Sequence, residues 1–496
     1  MEKKRLAFAH WQGDRLDQTR RQEYNLLAKE VKRAVRRDKK KWWNDLMTDM
    51  EEDMKRHRQG SFFKRMKQLT KSNTRPCTTI LDENNQPTGT LGESLARWRR
   101  HFDNVLNVRR EVTMDTAPQP TDNSDVPCVG VQRDEVAAAL QKLNLRKAAG
   151  SDGISAELLR GGGSVVVDWL LELMEEVWRT GVVPQDWKDA ELVPLYKKGD
   201  RMKCDNYRGI SLLSVPGKVL SLILLERLKK IIEPQLQEAQ CGFREGRGTT
   251  DQIWAVRQLV EKSLEHHSEL CLCFIDLSKA YDSVNREALM AVLRKYGVPG
   301  HTVSLVEQMY AGTWCQVKLE GEVSERFEVQ TGVRQGCVLS PILFNCYMDN
   351  IMREAIESLG GGINISYNTS KGLYLTYRDA VEGSTTVQDV LYADDLALVA
   401  EQRQDLQGML TVVDMVCKKW GMAISVEKSK VLAVGGGEVT APICLNNQTL
   451  EEVESFTYLG SSIDKSGKAS AEVDIRLEKG AEHTKCGVRK CSGVQT

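Results

Sequence analysis

Residues 390–400, VLYADDLALVA, constrain this chain more than any other segment. They set two adjacent carboxylates, Asp394 and Asp395, inside an apolar run about the length of two short strands joined by a tight turn. Neighbouring anions among apolar side chains repel each other and lose hydration, which is costly unless a cation sits beside them. A divalent metal is the simplest such cation, and Mg²⁺ favours carboxylate and phosphate oxygens. Taken alone the string is a weak signal, because a turn with solvated aspartates reads the same.

Two further segments sharpen it. Residues 271–284, CLCFIDLSKAYDSV, place Asp276 at the end of another short apolar strand, ahead of a turn and a helix. Three aspartates from two such elements suit a pair of metal ions roughly 3.5–4 Å apart, the arrangement of polymerases and nucleases. Residues 330–345, QTGVRQGCVLSPILFN, lie between them. Gly332 and Gly336 permit unusual backbone angles or the close approach of a ligand. Ser340 followed by Pro341 predicts a helix start with a capping hydroxyl, and the helix is expected to run to about Met352.

Together these residues resemble the reverse transcriptases of non-LTR (LINE-type) retrotransposons. The resemblance extends over residues 191–200, ELVPLYKKGD, and 205–220, DNYRGISLLSVPGKVL, which look like finger motifs. It includes 142–158, KLNLRKAAGSDGISAEL, similar to the family's N-terminal extension, and 240–252, QCGFREGRGTTDQ, ahead of the first aspartate. After the aspartate hairpin, 420–432, WGMAISVEKSKVL, and 456–463, FTYLGSSI, match the two following motifs. In all, about residues 130–465 are covered in order.

The resemblance implies roles residue by residue. Asp276 and Asp394 would hold two Mg²⁺ ions, with Asp395 completing the acidic cluster. Tyr281 would block the 2′-hydroxyl of an incoming ribonucleotide, which argues for DNA rather than RNA synthesis; a core tyrosine is the plainer reading. Arg208 would bind the incoming triphosphate, a task suited to a bidentate guanidinium. Lys197, beside Lys198, is a phosphate or template contact or else part of a solvated turn. Gln335 and Gly336 would line the nascent base pair. Lys428 would protonate the pyrophosphate leaving group, with plain surface charge as the other reading. Gly209 departs from the family, in which Pro commonly follows this arginine; the exchange is expected to loosen φ there.

Bulk composition agrees. The 496 residues carry no net charge, yet residues 1–110 hold 27 Lys and Arg against 15 Asp and Glu, an excess of +12 that the remainder balances. A basic arm beside an acidic, metal-seeking body fits a nucleic-acid enzyme. Residues 20–56 read as a basic helix, with Tyr24, Leu27, Val31 and Val35 on one face and Trp42, Trp43 and Leu46 resuming it. That helix either binds phosphates, with the Trp rings stacking on bases, or packs on the next domain. Thirteen cysteines lie without a Cys-x-x-Cys pair, so neither a zinc site nor a disulfide framework is expected, and reduced thiols suit an intracellular protein. His483, Cys486 and Cys491 lack the spacing of a zinc knuckle. Residues 210–225, the most apolar stretch, contain Pro216, Gly217 and Lys218, so no membrane span is expected.

The expected fold is α+β: a right-hand polymerase with fingers, and a palm whose antiparallel sheet is backed by helices. The expected parts are a basic, mostly helical region at 1–110 and a linker at 111–130. The N-terminal extension and fingers follow at 131–260, then a palm at 261–465 and a thumb remnant at 466–496. Residues 364–386 read as an insertion with β-like alternation in LYLTY. Helices are expected at 285–297 and 404–420. Residues 1–110 look too short for the upstream endonuclease of some family members, and the thumb looks clipped. The expected function is RNA-directed DNA polymerisation, with an RNA template, a DNA primer or target DNA and dNTPs as partners. The alternatives are an RNA-templated RNA polymerase, which Tyr281 disfavours, and a non-catalytic RNA-binding protein from a decayed element.

Overall fold

A computed structural model of the chain describes residues 17–56, 79–108, 129–358, 361–370, 380–435 and 441–468, with a few single positions outside these spans. The chain divides into two units, residues 75–475 and a smaller one of residues 1–74 with 476–496. Most of the expected linker, the LYLTY stretch at 373–377, and His483, Cys486 and Cys491 lie outside the described residues.

The smaller unit is described chiefly by one helix of 38 residues, α1 (Gln18–Lys55). Asp17 starts it, its carboxylate accepting the backbone N–H groups of Thr19 and Arg20 at 2.8 and 3.2 Å. Tyr24, Leu27 and Val31 lie on its half-buried side, and Trp11 stacks on Tyr24. Ala34 rather than Val35 continues that side; Val35 is exposed. Charge is segregated along the helix. Residues 18–41 hold ten Lys and Arg against three Asp and Glu, whereas residues 42–55 hold one against five.

In the larger unit α2 (Leu91–Leu106) opens on Thr90, whose hydroxyl accepts the Glu93 N–H. Helices α3 (Arg133–Lys142) and α4 (Gly163–Thr180) follow. Strands β1 (Ala190–Tyr196) and β2 (Tyr207–Leu213) then pair antiparallel from Ala190↔Leu213 to Tyr196↔Tyr207. Trp98 of α2 packs on Phe102 and, edge-on, on Tyr207, which ties α2 to this sheet. Helix α5 (Val215–Ile232) is apolar almost all round and buried accordingly.

Helix α6 (Thr249–Glu265) leads into β3 (Leu270–Asp276). Helix α7 (Arg286–Lys295) is capped by Asn285, whose Oδ1 accepts the Ala288 N–H at 2.9 Å, and α8 (Gly300–Tyr310) follows. Strand β4 (Trp314–Leu319) returns to run parallel to β1, completing the finger sheet with two short strands at its edge. Next comes α9 (Ser340–Glu357), which continues past Met352. Ser340 does not cap it as expected: the residue is the first of the helix, and its buried hydroxyl donates instead to the Arg334 carbonyl at 2.6 Å. A hairpin, β5 (Ile363–Ser370) with β6 (Ala380–Val387), forms the insertion.

The remaining elements are β7 (Asp389–Tyr392), β8 (Asp395–Ala400), α10 (Arg403–Lys419), β9 (Lys430–Val434) and β10 (Glu451–Glu452). A last hairpin joins β11 (Ser455–Tyr458) to β12 (Ser461–Asp464). The palm sheet has the order β10–β9–β3–β8–β7, antiparallel except where β9 meets β10. Its central strand explains the unbroken apolar run around 270–275. Cys271, Cys273 and Ile275 face the main core with α9 and α10, while Leu270, Leu272 and Phe274 face a second core with α6 and the last hairpin. Covered on both faces, such a strand needs apolar residues at every position. Burial of each large side chain stabilises the fold by about 1.5–3 kcal/mol. The architecture is the α+β, helix-backed antiparallel palm that the sequence implied. Among the described residues no helix is long and apolar enough to cross a membrane.

Candidate active site

The sheet register brings the aspartates together. Asp276 ends β3, Asp395 begins β8, and the two are cross-strand partners. Asp394 sits in the turn between β7 and β8, which Ala393 starts with φ at 57°. Burial raises the Asp394 pKa, the Asp276 charge raises it further, and Arg208 and Lys197 pull it down. Asp395 still meets solvent, yet close packing and then the charges of Asp394 and Asp276 push its pKa up to about 6.

Cations ring this cluster. Lys428 places Nζ 3.1 Å from Asp276 Oδ2. The chain around it is moored to β3: Ser425 N–H donates to the Asp276 carbonyl, and the Asp276 N–H donates to Ser429 Oγ at 3.2 Å. From the finger sheet, Arg208 pairs in register with Leu195, two residues before Lys197. The Lys197 pKa is lowered, first by burial and then by the charges of Arg208, Lys428 and Lys198, against the opposing pull of Asp276. Arg208 is exposed, and among the described residues its side chain makes no hydrogen bond or ion pair, so its guanidinium is available to a ligand.

Among the described residues no three His, Cys, Asp or Glu side chains sit close enough to enclose a metal by themselves. The donor set still fits a hard divalent cation that completes its shell with water and substrate oxygens: it consists of carboxylates only, and Asp394 and Asp395 resist ionisation because of burial first and then neighbouring charge.

Tyr281 lies on a one-turn helix, Ala280–Ser283, entered through Lys279 at φ 52°. Its ring stacks on Phe344 of α9, 4.4 Å between centroids and 10° between planes. Its hydroxyl is buried without a hydrogen-bond partner among the described residues, and its pKa is raised by burial and then by Asp394.

Gln335 and Gly336 approach the finger sheet rather than the aspartates: the Gln335 carbonyl accepts the Ser211 N–H at 3.0 Å. Gly336 has φ 112°, and a Cβ there would lie 2.9 Å from the Ser211 carbonyl oxygen. The Gln335 side-chain amide donates to both oxygens of Asp282, at 3.2 and 3.3 Å. Asp282 is buried, and burial pushes its pKa up to about 6. The loop from Val329 to Gly332 is held by Arg286, which donates to the carbonyls of Val329, Thr331, Gly332 and Tyr310.

Gly209 has a different cause from the one expected. A Cβ there would lie 2.7 Å from Cε1 of Phe102, so the position is one of close approach by α2. Sequence reasoning also missed Asp282, Ser429 and Gln240. All three lie within quoted segments, but each stands among other polar residues, so nothing local singles it out.

Comparison with known proteins follows the same region. The family model described as "Reverse transcriptase (RNA-dependent DNA polymerase)" matches residues 195–463. A probable RNA-directed DNA polymerase from transposon BS of Drosophila melanogaster is 24% identical over 401 residues, covering 79% of this chain and 41% of that protein. A retrovirus-related Pol polyprotein from the type-2 retrotransposable element R2DM, of the same species, is 28% identical, covering 65% and 27%. An RNA-directed DNA polymerase from the mobile element jockey, again of that species, is 24% identical, covering 68% and 36%. The chain thus spans less than half the length of each of these relatives.

Proposed function

The chain belongs to the reverse transcriptase (RNA-dependent DNA polymerase) family, and from that premise we propose that it copies an RNA template into DNA at the cluster of Asp276, Asp394 and Asp395. The observation that carries this reading is the cross-strand pairing of Asp276 with Asp395 beside Asp394, faced by Lys197, Arg208 and Lys428. In the reaction the primer 3′-oxygen forms a bond to the α-phosphorus of a dNTP, and the bond to pyrophosphate breaks.

Asp276 and Asp394 would hold two Mg²⁺ ions, with Asp395 completing the acidic cluster. When bound, the metal supplies a lowered pKa at the primer hydroxyl and neutralises charge on the departing phosphates. Arg208, with Lys197 beside it, binds the triphosphate from the finger side. Lys428 serves as proton donor to the leaving pyrophosphate, and its ion pair with Asp276 keeps the ammonium close to the site. The Tyr281 ring, fixed by its stacking on Phe344, would block the 2′-hydroxyl of an incoming ribonucleotide. Gln335 and Gly336, held to the finger sheet and Asp282, shape the floor under the nascent base pair. The basic part of α1 adds sequence-independent contacts to nucleic-acid phosphates. The eight buried free cysteines among the described residues suit a reducing, intracellular compartment.

The test is primer extension on an RNA template with Mg²⁺, comparing dNTPs with rNTPs. Wild type is expected to extend with dNTPs. Asp394→Ala should abolish extension, and Tyr281→Val should raise ribonucleotide use relative to deoxynucleotide use by roughly a hundredfold. A folded wild-type protein that retains RNA and extends nothing would overturn the polymerase reading.

A further inference from the structure

The turn that carries Asp394 is strained. Ala393 adopts φ 57°, a left-handed conformation disfavoured for any residue with a Cβ. Such conformations persist where the surroundings over-determine them. Residues 239–242 supply those surroundings from behind the turn.

Gln240 is fully buried. Its Oε1 accepts the Ala393 N–H at 2.9 Å and the Gly242 N–H at 2.8 Å. The same segment is zipped to β7: the Cys241 N–H donates to the Leu391 carbonyl, and the Leu391 N–H donates to the Ala239 carbonyl. Asn345 of α9 donates from Nδ2 to the Gly242 carbonyl at 2.6 Å. A Cβ on Gly242 would lie 2.4 Å from the Ala393 nitrogen, so only glycine permits this approach. Gln240 Nε2 has no hydrogen-bond partner among the described residues. The side chain therefore works there as an acceptor, and its two backbone donors fix which way the amide faces.

We propose that Gln240 is a positioning residue for nucleotidyl transfer: its side-chain oxygen, by accepting the N–H groups of Ala393 and Gly242 together, fixes the turn that presents Asp394. The inference rests on the polymerase reading above. Without the acceptor, two buried N–H groups lose their partner and the turn is free to relax toward ordinary backbone angles. Asp394 then wanders from its place opposite the primer end, and small displacements in such sites are costly to rate.

The test compares Gln240→Met, similar in length but without an acceptor, with Gln240→Glu, which keeps one in either protonation state. Gly242→Ala disturbs the same contact from the other side. Four quantities are read: kcat and KM for dNTP, the Mg²⁺ midpoint of activity, backbone amide exchange over residues 390–396 in metal-free protein, and thermal unfolding. Gln240→Met should lower kcat by about ten- to a hundredfold, leave KM for dNTP nearly unchanged, raise the Mg²⁺ requirement and speed exchange across the turn. Gln240→Glu should restore most of all three, and Gly242→Ala should resemble the Met variant. Wild-type kcat and exchange in Gln240→Met would overturn the proposal. So would equal loss in the Met and Glu variants, or a loss that follows global unfolding with no local change in exchange. If wild type extends no primer, the polymerase reading fails, and amide exchange still decides whether Gln240 holds the turn.

Discussion

Asp282 shows how a single buried carboxyl writes itself into stability. Its usual pKa near 3.8 is pushed up to about 6 by burial, while the hydrogen bonds from Gln335 act the other way. Between about pH 4 and pH 6 the unfolded chain has released this proton and the folded chain still holds it. Stability therefore falls as pH rises through that window and levels off above it, by at most about 3 kcal/mol. Asp282→Asn keeps the shape and removes the charge. Thermal unfolding at pH 7.5 should show the variant at least as stable as wild type, with that advantage shrinking by pH 4.5; an unchanging difference would count against the assignment. The aspartates at 276, 394 and 395 were legible because carboxylates stood out in apolar strings. The pairing of Asp282 with Gln335 was not, since it joins two segments 53 residues apart and no local pattern records it.

At the level of elements, periodicity identified strands and helices well and their ends less well. Helices α7 and α10 lie where the 3–4 spacing put them. The start of α9 differs because Ser340 spends its hydroxyl on the Arg334 carbonyl, a partner outside the helix that no capping rule anticipates. Gly209 makes the same point for β2. Its meaning is spatial, set by Phe102 more than a hundred positions earlier. Gly209→Ala should push that ring out of the aromatic stack with Trp98 and lower stability by about 1–3 kcal/mol. Denaturant midpoints would check this, and the loss should shrink in the Gly209→Ala, Phe102→Leu double variant. A single variant as stable as wild type would show that α2 yields without cost.

Across the whole molecule the charge is segregated, with a basic excess in residues 1–110 that the remainder balances. The ten Lys and Arg of residues 18–41 should each add to the salt dependence of nucleic-acid binding where they meet a phosphate. Removing residues 1–56 should therefore flatten the slope of log affinity against log salt concentration, read by fluorescence anisotropy with single-stranded RNA. An unchanged slope would assign α1 to packing instead.

The position of β3 at the middle of the palm sheet has a consequence for how the protein comes into being. Its partners β8 and β9 are encoded far downstream: Asp276 and Asp395 are 119 residues apart (395 − 276 = 119), and Asp276 and Ser429 are 153 apart. On a ribosome adding about 5–20 residues per second, the central strand waits on the order of ten seconds with both edges unpaired. During that interval it is a sticky ribbon of seven residues, six of them apolar, and a natural client for chaperones. The same docking event that shields it also assembles the aspartates. Nascent protein thus gains its acidic centre in the same step that covers the first edge of this strand, and premature termination before β8 leaves the strand uncovered and the aspartates unassembled.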